Sequence, residues 1–131
     1  MNKIVLKFGG TSVGDINKII NAAKIIKKKH EENNQVIVVV SAMAGVTNDL
    51  IGKSNKITKN FDKKELDVLL SSGEQVSCSL LSGALIDMGI NARSWLSWQI
   101  PILTEGSHAS ARIIKIYKQK ISLYQSRLDS T

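Results

Sequence analysis

Hydrophobic residues recur along the chain at two different spacings, and each spacing predicts a different kind of element. Residues 4–8 form a short apolar run that ends at two glycines, and residues 36–40 form a continuous β-branched run. Both runs are typical of buried strands, and the second is typical of a strand covered on both faces. Between them, apolar residues from Ile16 to Ile26 repeat at helical spacing, and Ser12 and Asp15 have the spacing of a capping box. The order strand, helix, strand predicts a βαβ unit with parallel strands.

The second half of the chain continues this mixed pattern. We predict a short helix over residues 47–56. A second helical pattern follows and is interrupted by Gly73. Glu74 then begins a longer helix that stops at Gly89. Residues 92–96 and 100–104 favour short strands, residues 111–116 fit either a strand or a helix, and residues 118–128 favour a helix. The predicted fold class is therefore α/β with a mostly parallel sheet.

Composition favours a globular domain and disfavours several classes of function. The 131 residues, 43% apolar and 22% charged, suffice for one core, and no linker or repeat divides residues 1–131. The chain has no apolar run long enough for a membrane span or a signal peptide, and the single Cys78 cannot form an internal disulfide. We therefore expect a cytoplasmic protein without membrane contact. The net charge of +7 comes mostly from lysine and aromatic residues are few, which disfavours a nucleic-acid surface. The two histidines are isolated, so no metal site is predicted.

The turn after the first strand has the composition of an anion-binding loop. Lys7 lies at the end of the strand, Gly9 and Gly10 follow, and Thr11 and Ser12 lead into the helix. Ligands of open α/β sheets bind beyond the carboxyl ends of the strands, where glycines expose backbone N–H groups and a lysine adds a positive charge. A tight turn with a solvated lysine explains the same residues, so the spacing alone leaves both interpretations open.

Two later segments carry further candidate polar groups. Ser41 and Thr47 follow the second strand and could bind a carboxylate or a phosphate as neutral donors, although Thr47 fits an ordinary N-cap equally well. Two such loops at adjacent strand ends would share one crevice. Glu74, directly after Gly73, either complements a helix dipole or presents a carboxylate that holds a substrate ammonium.

Together these segments resemble the aspartokinases of the amino-acid kinase superfamily. The likeness is carried by the segments Lys-Phe-Gly-Gly-Thr-Ser-Val at residues 7–13, Val-Ser-Ala-Met-Ala-Gly-Val-Thr-Asn at residues 40–48 and Leu-Ser-Ser-Gly-Glu at residues 70–74. Their order and spacing match the family, and the likeness covers essentially the whole chain. It implies the N-terminal half of an amino-acid kinase domain, which would be a partial three-layer α/β/α sandwich.

The resemblance implies an enzyme that transfers a phosphoryl group from ATP, as its Mg²⁺ complex, to the side-chain carboxylate of L-aspartate. The product would be 4-phospho-L-aspartate, on the way to lysine, diaminopimelate, threonine and methionine. By the family's motifs, Lys7 is the catalytic lysine that stabilises charge on the transferring phosphoryl group. The matching phosphate-binding residues are Lys7, Phe8, Gly9, Gly10, Thr11 and Ser12, and the matching aspartate-binding residues are Ser41, Thr47 and Glu74.

The chain also departs from the family pattern. The later Gly-rich segments, the adenine-binding region and the regulatory ACT domains of aspartokinases do not occur in it. We therefore expect the chain alone to be inactive, with a separately encoded C-terminal half as a candidate partner, in a family whose full-length members are oligomers. The alternatives are a non-catalytic remnant, one half of a split enzyme, or another superfamily member such as a glutamate, acetylglutamate or uridylate kinase.

Overall fold

The computed structural model describes residues 2–117, and the chain divides into two compact units, Met1–Ser94 and Trp95–Thr131. The first unit contains two strands and three α-helices. In chain order these are β1 (Asn2–Phe8), α1 (Ile16–Glu31), β2 (Asn34–Val40), α2 (Val46–Ile57) and α3 (Lys63–Asp87). The second unit contains the strands β3 (Ile102–Glu105) and β4 (Arg112–Ile116). Within residues 2–117, none of the helices has both the length and the apolar character that crossing a membrane requires.

The predicted βαβ unit is confirmed. Strands β1 and β2 pair in parallel, with a regular register that runs from Asn2 opposite Asn34 to Phe8 opposite Val40. Helix α1 makes the connection between them, as the isoleucine repeat predicts. The chain is thus an α/β protein with a parallel sheet, and the carboxyl ends of both strands lie at the same edge.

The core lies between the sheet and two of the helices. One face of α1 is buried at helical spacing and packs against α3, which supplies two leucines from its last turns. Alternate residues of β1 and β2 pack against this cluster from the sheet. The buried members are Val13, Ile19, Ala22, Ala23, Ile26, Leu81 and Leu85.

The opposite face of the sheet is open. Val5, Ile37 and Val39 point away from the core and are 65%, 38% and 49% exposed. The prediction that the β2 run is covered on both faces is therefore wrong for the described residues, because α1 and α3 pack on the same side. The apolar residues of this face are typical of a parallel sheet that normally has a second layer.

Helix α1 does not use the predicted capping box. Gly10–Val13 forms a short 3-10 helix, which places Ser12 inside a turn rather than at a helix start. Asp15 is the N-cap instead, and its Oδ1 accepts the backbone N–H of Lys18 at 2.9 Å. Helix α2 similarly begins after Gly45, whose φ of 82° is left-handed, so the N-cap interpretation of Thr47 is also wrong.

Helix α3 is continuous over 25 residues, and the predicted break at Gly73 is wrong. Glu74 therefore lies well inside the helix and not at its N-terminus. The predicted stop at Gly89 is confirmed, since Gly89 has a φ of 80° and donates its N–H to the carbonyl of Ile86. Ile90 donates to the carbonyl of Leu85, which completes a Schellman motif.

The second unit contains a β-hairpin within its described residues. Strands β3 and β4 pair antiparallel, so the ambiguous segment 111–116 is a strand for most of its length. Gly106 and Ala109 have positive φ in the connection. The predicted strand over residues 92–96 does not form, and the predicted helix over residues 118–128 lies outside the described residues.

We predict opposite effects on stability for two glycines of α3. A Cβ at Gly73 would lie 2.8 Å from the Ala42 Cβ and 3.2 Å from the Val46 Cγ1, whereas a Cβ at Gly83 meets nothing within 4 Å. Gly73→Ala should lower the free energy of unfolding by about 1–3 kcal/mol through overpacking. Gly83→Ala, the matched control, should raise it by about 0.5–1 kcal/mol through helix propensity. Urea denaturation of the chain measures both, and equal effects would contradict the packing at Gly73.

Candidate functional site

Two loops meet at the carboxyl edge of the parallel sheet. The glycine loop, residues 9–14, follows β1, and the small-residue loop, residues 41–45, follows β2. Ser41 donates its N–H to the carbonyl of Phe8 at 3.1 Å, which extends the pairing one residue beyond the end of β2. This edge is where open α/β sheets bind their ligands.

Gly9 and Gly10 of the glycine loop have different surroundings. A Cβ at Gly10 would lie 2.9 Å from the carbonyl oxygen of Ala42, so only glycine lets the two loops approach this closely. A Cβ at Gly9 would meet nothing within 4 Å, and its φ of −74° suits any residue. Gly10 therefore serves the packing of the loops, whereas Gly9 leaves open space beside its backbone.

Helix α3 supports the small-residue loop from the other side. Gly73 lets the helix lie directly against Ala42, which is itself 5% exposed. Glu74, the next residue, accepts the backbone N–H of Ala42 on its Oε1 at 3.3 Å, while its side chain stays exposed. The structure thus brings Gly10, Ser41 and Glu74 together around Ala42.

Lys7 has a different orientation from its neighbours. Leu6 and Phe8 pack against the core, so the alternation of the strand directs the exposed Lys7 to the open face of the sheet, next to Val39. Helix α3, which carries Glu74, packs on the core side. A shared crevice therefore requires the long side chain of Lys7 to reach over the carboxyl edge, and the single-crevice arrangement stays a prediction.

The remaining predicted site residues contribute in different ways. The side chain of Phe8 packs against the core, and the backbone carbonyl of Phe8 accepts the N–H of Ser41. Phe8 therefore fixes the position of the two loops and presents no side chain to a ligand. Thr11 and Ser12 are exposed on the 3-10 helix, and Thr47 is exposed in the first turn of α2. Their hydroxyl groups are accessible at the same edge of the molecule as the two loops.

Sequence reasoning missed one polar residue of this region. Ser77 is 1% exposed and donates its hydroxyl to the carbonyl of Ser41 at 2.7 Å. Its signal was the spacing of Gly73 and Ser77, two small residues four positions apart and hence on one face of α3. A helix break predicted at Gly73 conceals this spacing, because it assigns the two residues to different helices.

The described residues offer no built metal site at this edge. Within residues 2–117 there is no group of three or more His, Cys, Asp and Glu side chains that could hold a metal ion. Lys7 and Glu74, the two charged residues predicted for the site, are both exposed. This arrangement of charges suits a ligand with an anionic group near Lys7 and a cationic group near Glu74.

Known proteins with similar sequences are aspartokinases. The chain is 49% identical over 121 residues to the aspartate kinase of Pseudomonas putida and 52% identical over 116 residues to the aspartokinase of Rickettsia bellii. These matches cover 92% and 86% of this chain but 29% of each relative. The chain therefore spans less than a third of the length of these relatives.

Solved structures agree on the fold. The crystal structure of the aspartate kinase from Synechocystis matches with a TM-score of 0.73 and 44% identity, over 75% of this chain and 17% of that one. The structure of E. coli aspartokinase III in complex with aspartate and ADP matches with a TM-score of 0.71 over 87% of this chain and 35% of that one. Its identity of 21% supports the fold alone.

The family model for the amino acid kinase family matches residues 2–125, which is nearly the whole chain. The parallel βαβ unit, the glycine loop after β1 and the similarity to aspartokinases agree with this match. The chain belongs to the amino acid kinase family.

Proposed function

We propose that this chain provides the phosphate end and the acceptor end of an aspartokinase site. The reaction is transfer of the γ-phosphoryl group of ATP to the side-chain carboxylate of L-aspartate, which gives 4-phospho-L-aspartate for lysine, diaminopimelate, threonine and methionine synthesis. The observation that supports it most is the meeting of the glycine loop, the small-residue loop and Glu74 at Ala42, in a chain 49% identical to an aspartate kinase.

In this proposal the glycine loop receives the phosphates. The open space beside Gly9 lets a phosphate oxygen approach the backbone N–H groups of residues 9 and 10. Thr11 and Ser12 add exposed hydroxyls, and Phe8 holds the loop on the core. Lys7 reaches over the edge and stabilises the negative charge that develops on the transferring group.

The acceptor aspartate would be held by groups on the other side of the edge. Glu74 offers a carboxylate to the ammonium group, and Ser41 and Thr47 offer hydroxyls to the carboxylates. The attacking carboxylate is already ionised near neutral pH, so the reaction needs no general base. Catalysis then consists of positioning and electrostatic stabilisation.

Mg²⁺ would enter as part of the nucleotide substrate. The described residues contain no cluster suited to hold the ion, so no residue of the chain is assigned to it and no step depends on one. Bound to the phosphates, the ion neutralises part of their charge. The residues of this chain act on the resulting complex through Lys7 and the backbone of the glycine loop.

The chain spans too little of its relatives to hold a whole site of this kind. With 29% of the length of an aspartate kinase, it contains one phosphate-binding side and part of the acceptor side. We therefore propose that residues 1–131 are the N-terminal portion of a cytoplasmic kinase domain. A segment corresponding to the rest of the relatives, in the same or a separate polypeptide, would complete it.

The first test of this function is complementation. The chain alone should form no aspartyl phosphate, because nucleotide, metal and acceptor must be held in line together. Mixed with the separately expressed remainder of the Pseudomonas putida aspartate kinase, it should restore turnover, measured as aspartyl hydroxamate. The remainder alone is the control. Turnover by the 131-residue chain alone would contradict the proposed division of the site.

The role of Lys7 can be separated from that of a general surface charge. Lys7→Ala should lower the kcat of the complemented enzyme by about 10²-fold or more, because it removes a contact that strengthens in the transition state. Lys3→Ala is the matched control, since Lys3 is exposed on the same face of the same strand, four residues from the edge. Equal kcat values for the two variants would contradict the catalytic role of Lys7.

Gly9 and Gly10 should respond differently to replacement by alanine. Gly10→Ala places a Cβ against the Ala42 carbonyl and should lower the free energy of unfolding by about 1–3 kcal/mol. Gly9→Ala meets no atom and should leave stability unchanged or raise it by about 0.4–1 kcal/mol. In the complemented enzyme, however, the Gly9→Ala methyl occupies the proposed phosphate space and should raise the KM for ATP. An unchanged KM would contradict phosphate binding at Gly9.

A further inference from the structure

One peptide group at the site is held by side chains at both of its polar atoms. The carbonyl oxygen of Ser41 accepts the Ser77 hydroxyl at 2.7 Å, and the N–H of Ala42 donates to Glu74 Oε1 at 3.3 Å. The two atoms belong to the same planar peptide unit, so fixing one orients the other. Glu74 and Ser77 are three residues apart on α3 and therefore neighbours on its surface.

The hydroxyl of Ser77 differs from those of Ser71 and Ser72 on the same helix. Ser71 and Ser72 are exposed and donate to carbonyls of their own helix, those of Val68 and Leu69. Ser77 is buried and has one proton, whose nearer acceptor is the Ser41 carbonyl at 2.7 Å, not the Glu74 carbonyl at 3.2 Å. This hydroxyl links α3 to a loop 36 residues away in sequence.

Close packing leaves the peptide little freedom to shift as a whole. The Ala42 carbonyl oxygen, in the next peptide group, lies 2.9 Å from the position that a Cβ at Gly10 would take, and the Ala42 methyl lies 2.8 Å from the position of a Cβ at Gly73. This packing does not directly oppose rotation of the Ser41–Ala42 peptide group. The hydrogen bond from Ser77 opposes that rotation.

We propose that Ser77 is a positioning residue for the acceptor end of the site. It holds the Ser41–Ala42 peptide so that the Ala42 N–H fixes one carboxylate oxygen of Glu74, which leaves the second oxygen to bind the substrate ammonium. The same hydrogen bond sets the position of Ser41. The role of Ser77 in substrate binding rests on the proposed function. The link, meaning the connection from Ser77 through the Ser41–Ala42 peptide to Glu74, does not rest on it.

The link is tested on the 131-residue chain by NMR of the ¹⁵N-labelled protein. An amide proton bound to a carboxylate shifts as that carboxylate titrates, so the Ala42 amide should shift with pH in the unaltered chain. Glu74→Gln should abolish this shift, which assigns it to Glu74. Ser77→Ala should abolish or strongly reduce it while the amides of Gly89 and Ile90 keep their shifts.

Two further variants separate positioning from general destabilisation. Ser79→Ala removes an exposed hydroxyl two residues further along α3 and should leave the Ala42 shift intact. Ser77→Cys keeps a side chain of similar size with a weak donor, and should retain part of the Ala42 shift. A Ser77→Ala chain in which Ala42 still shifts with pH as in the unaltered chain overturns the proposal.

The consequence for substrate is measured in the complemented kinase. Ser77→Ala should raise the KM for aspartate roughly tenfold, the size expected for disturbing one charge-assisted contact, with kcat changed far less. An unchanged KM alongside a lost Ala42 shift would also overturn the positioning role. If the complemented enzyme without substitutions did not turn over aspartate, that result would instead contradict the proposed function. The NMR experiment would still decide whether Ser77 is linked to Glu74.

Discussion

The close approach of three backbone segments at Ala42 is the constraint on which the site depends. The glycine loop reaches it because Gly10 has no Cβ, and α3 reaches it because Gly73 has none. Gly73 would otherwise be a weakness, since glycine inside an α-helix costs about 1 kcal/mol relative to alanine. Here the absent side chains allow two strand-end loops and one helix to pack as a unit.

This packing explains how a short chain can carry several groups of the proposed phosphoryl-transfer site. The loops follow adjacent parallel strands, so their backbone N–H groups lie at one edge although helix α1 separates them in sequence. The helix contributes Glu74 and Ser77 from its middle, where the backbone is rigid and the side chains are held by packing. Polar groups on rigid elements keep the geometry that electrostatic catalysis requires.

The open face of the sheet in the first unit is apolar. Val5, Ile37 and Val39 form an apolar strip on a parallel sheet, and such sheets occur almost only with both faces covered. Lys7 emerges on that same face, at its carboxyl end. Within residues 2–94, helices α1 and α3 cover one face of this sheet, and Lys7, the cation proposed for catalysis, lies beside the other face.

Local patterns in the sequence predicted several elements of the first unit. The β-branched run of β2, the isoleucine repeat of α1 and the stop at Gly89 were all predictable, because periodicity and glycine conformation are local properties. Tertiary structure alone decided that Gly73 continues a helix, because the cost of glycine there is offset by contact with Ala42, far away in sequence. It also decided that segment 111–116 pairs as a strand and that Ser77 holds the loop. Each of these depends on a neighbour that no short window of sequence contains.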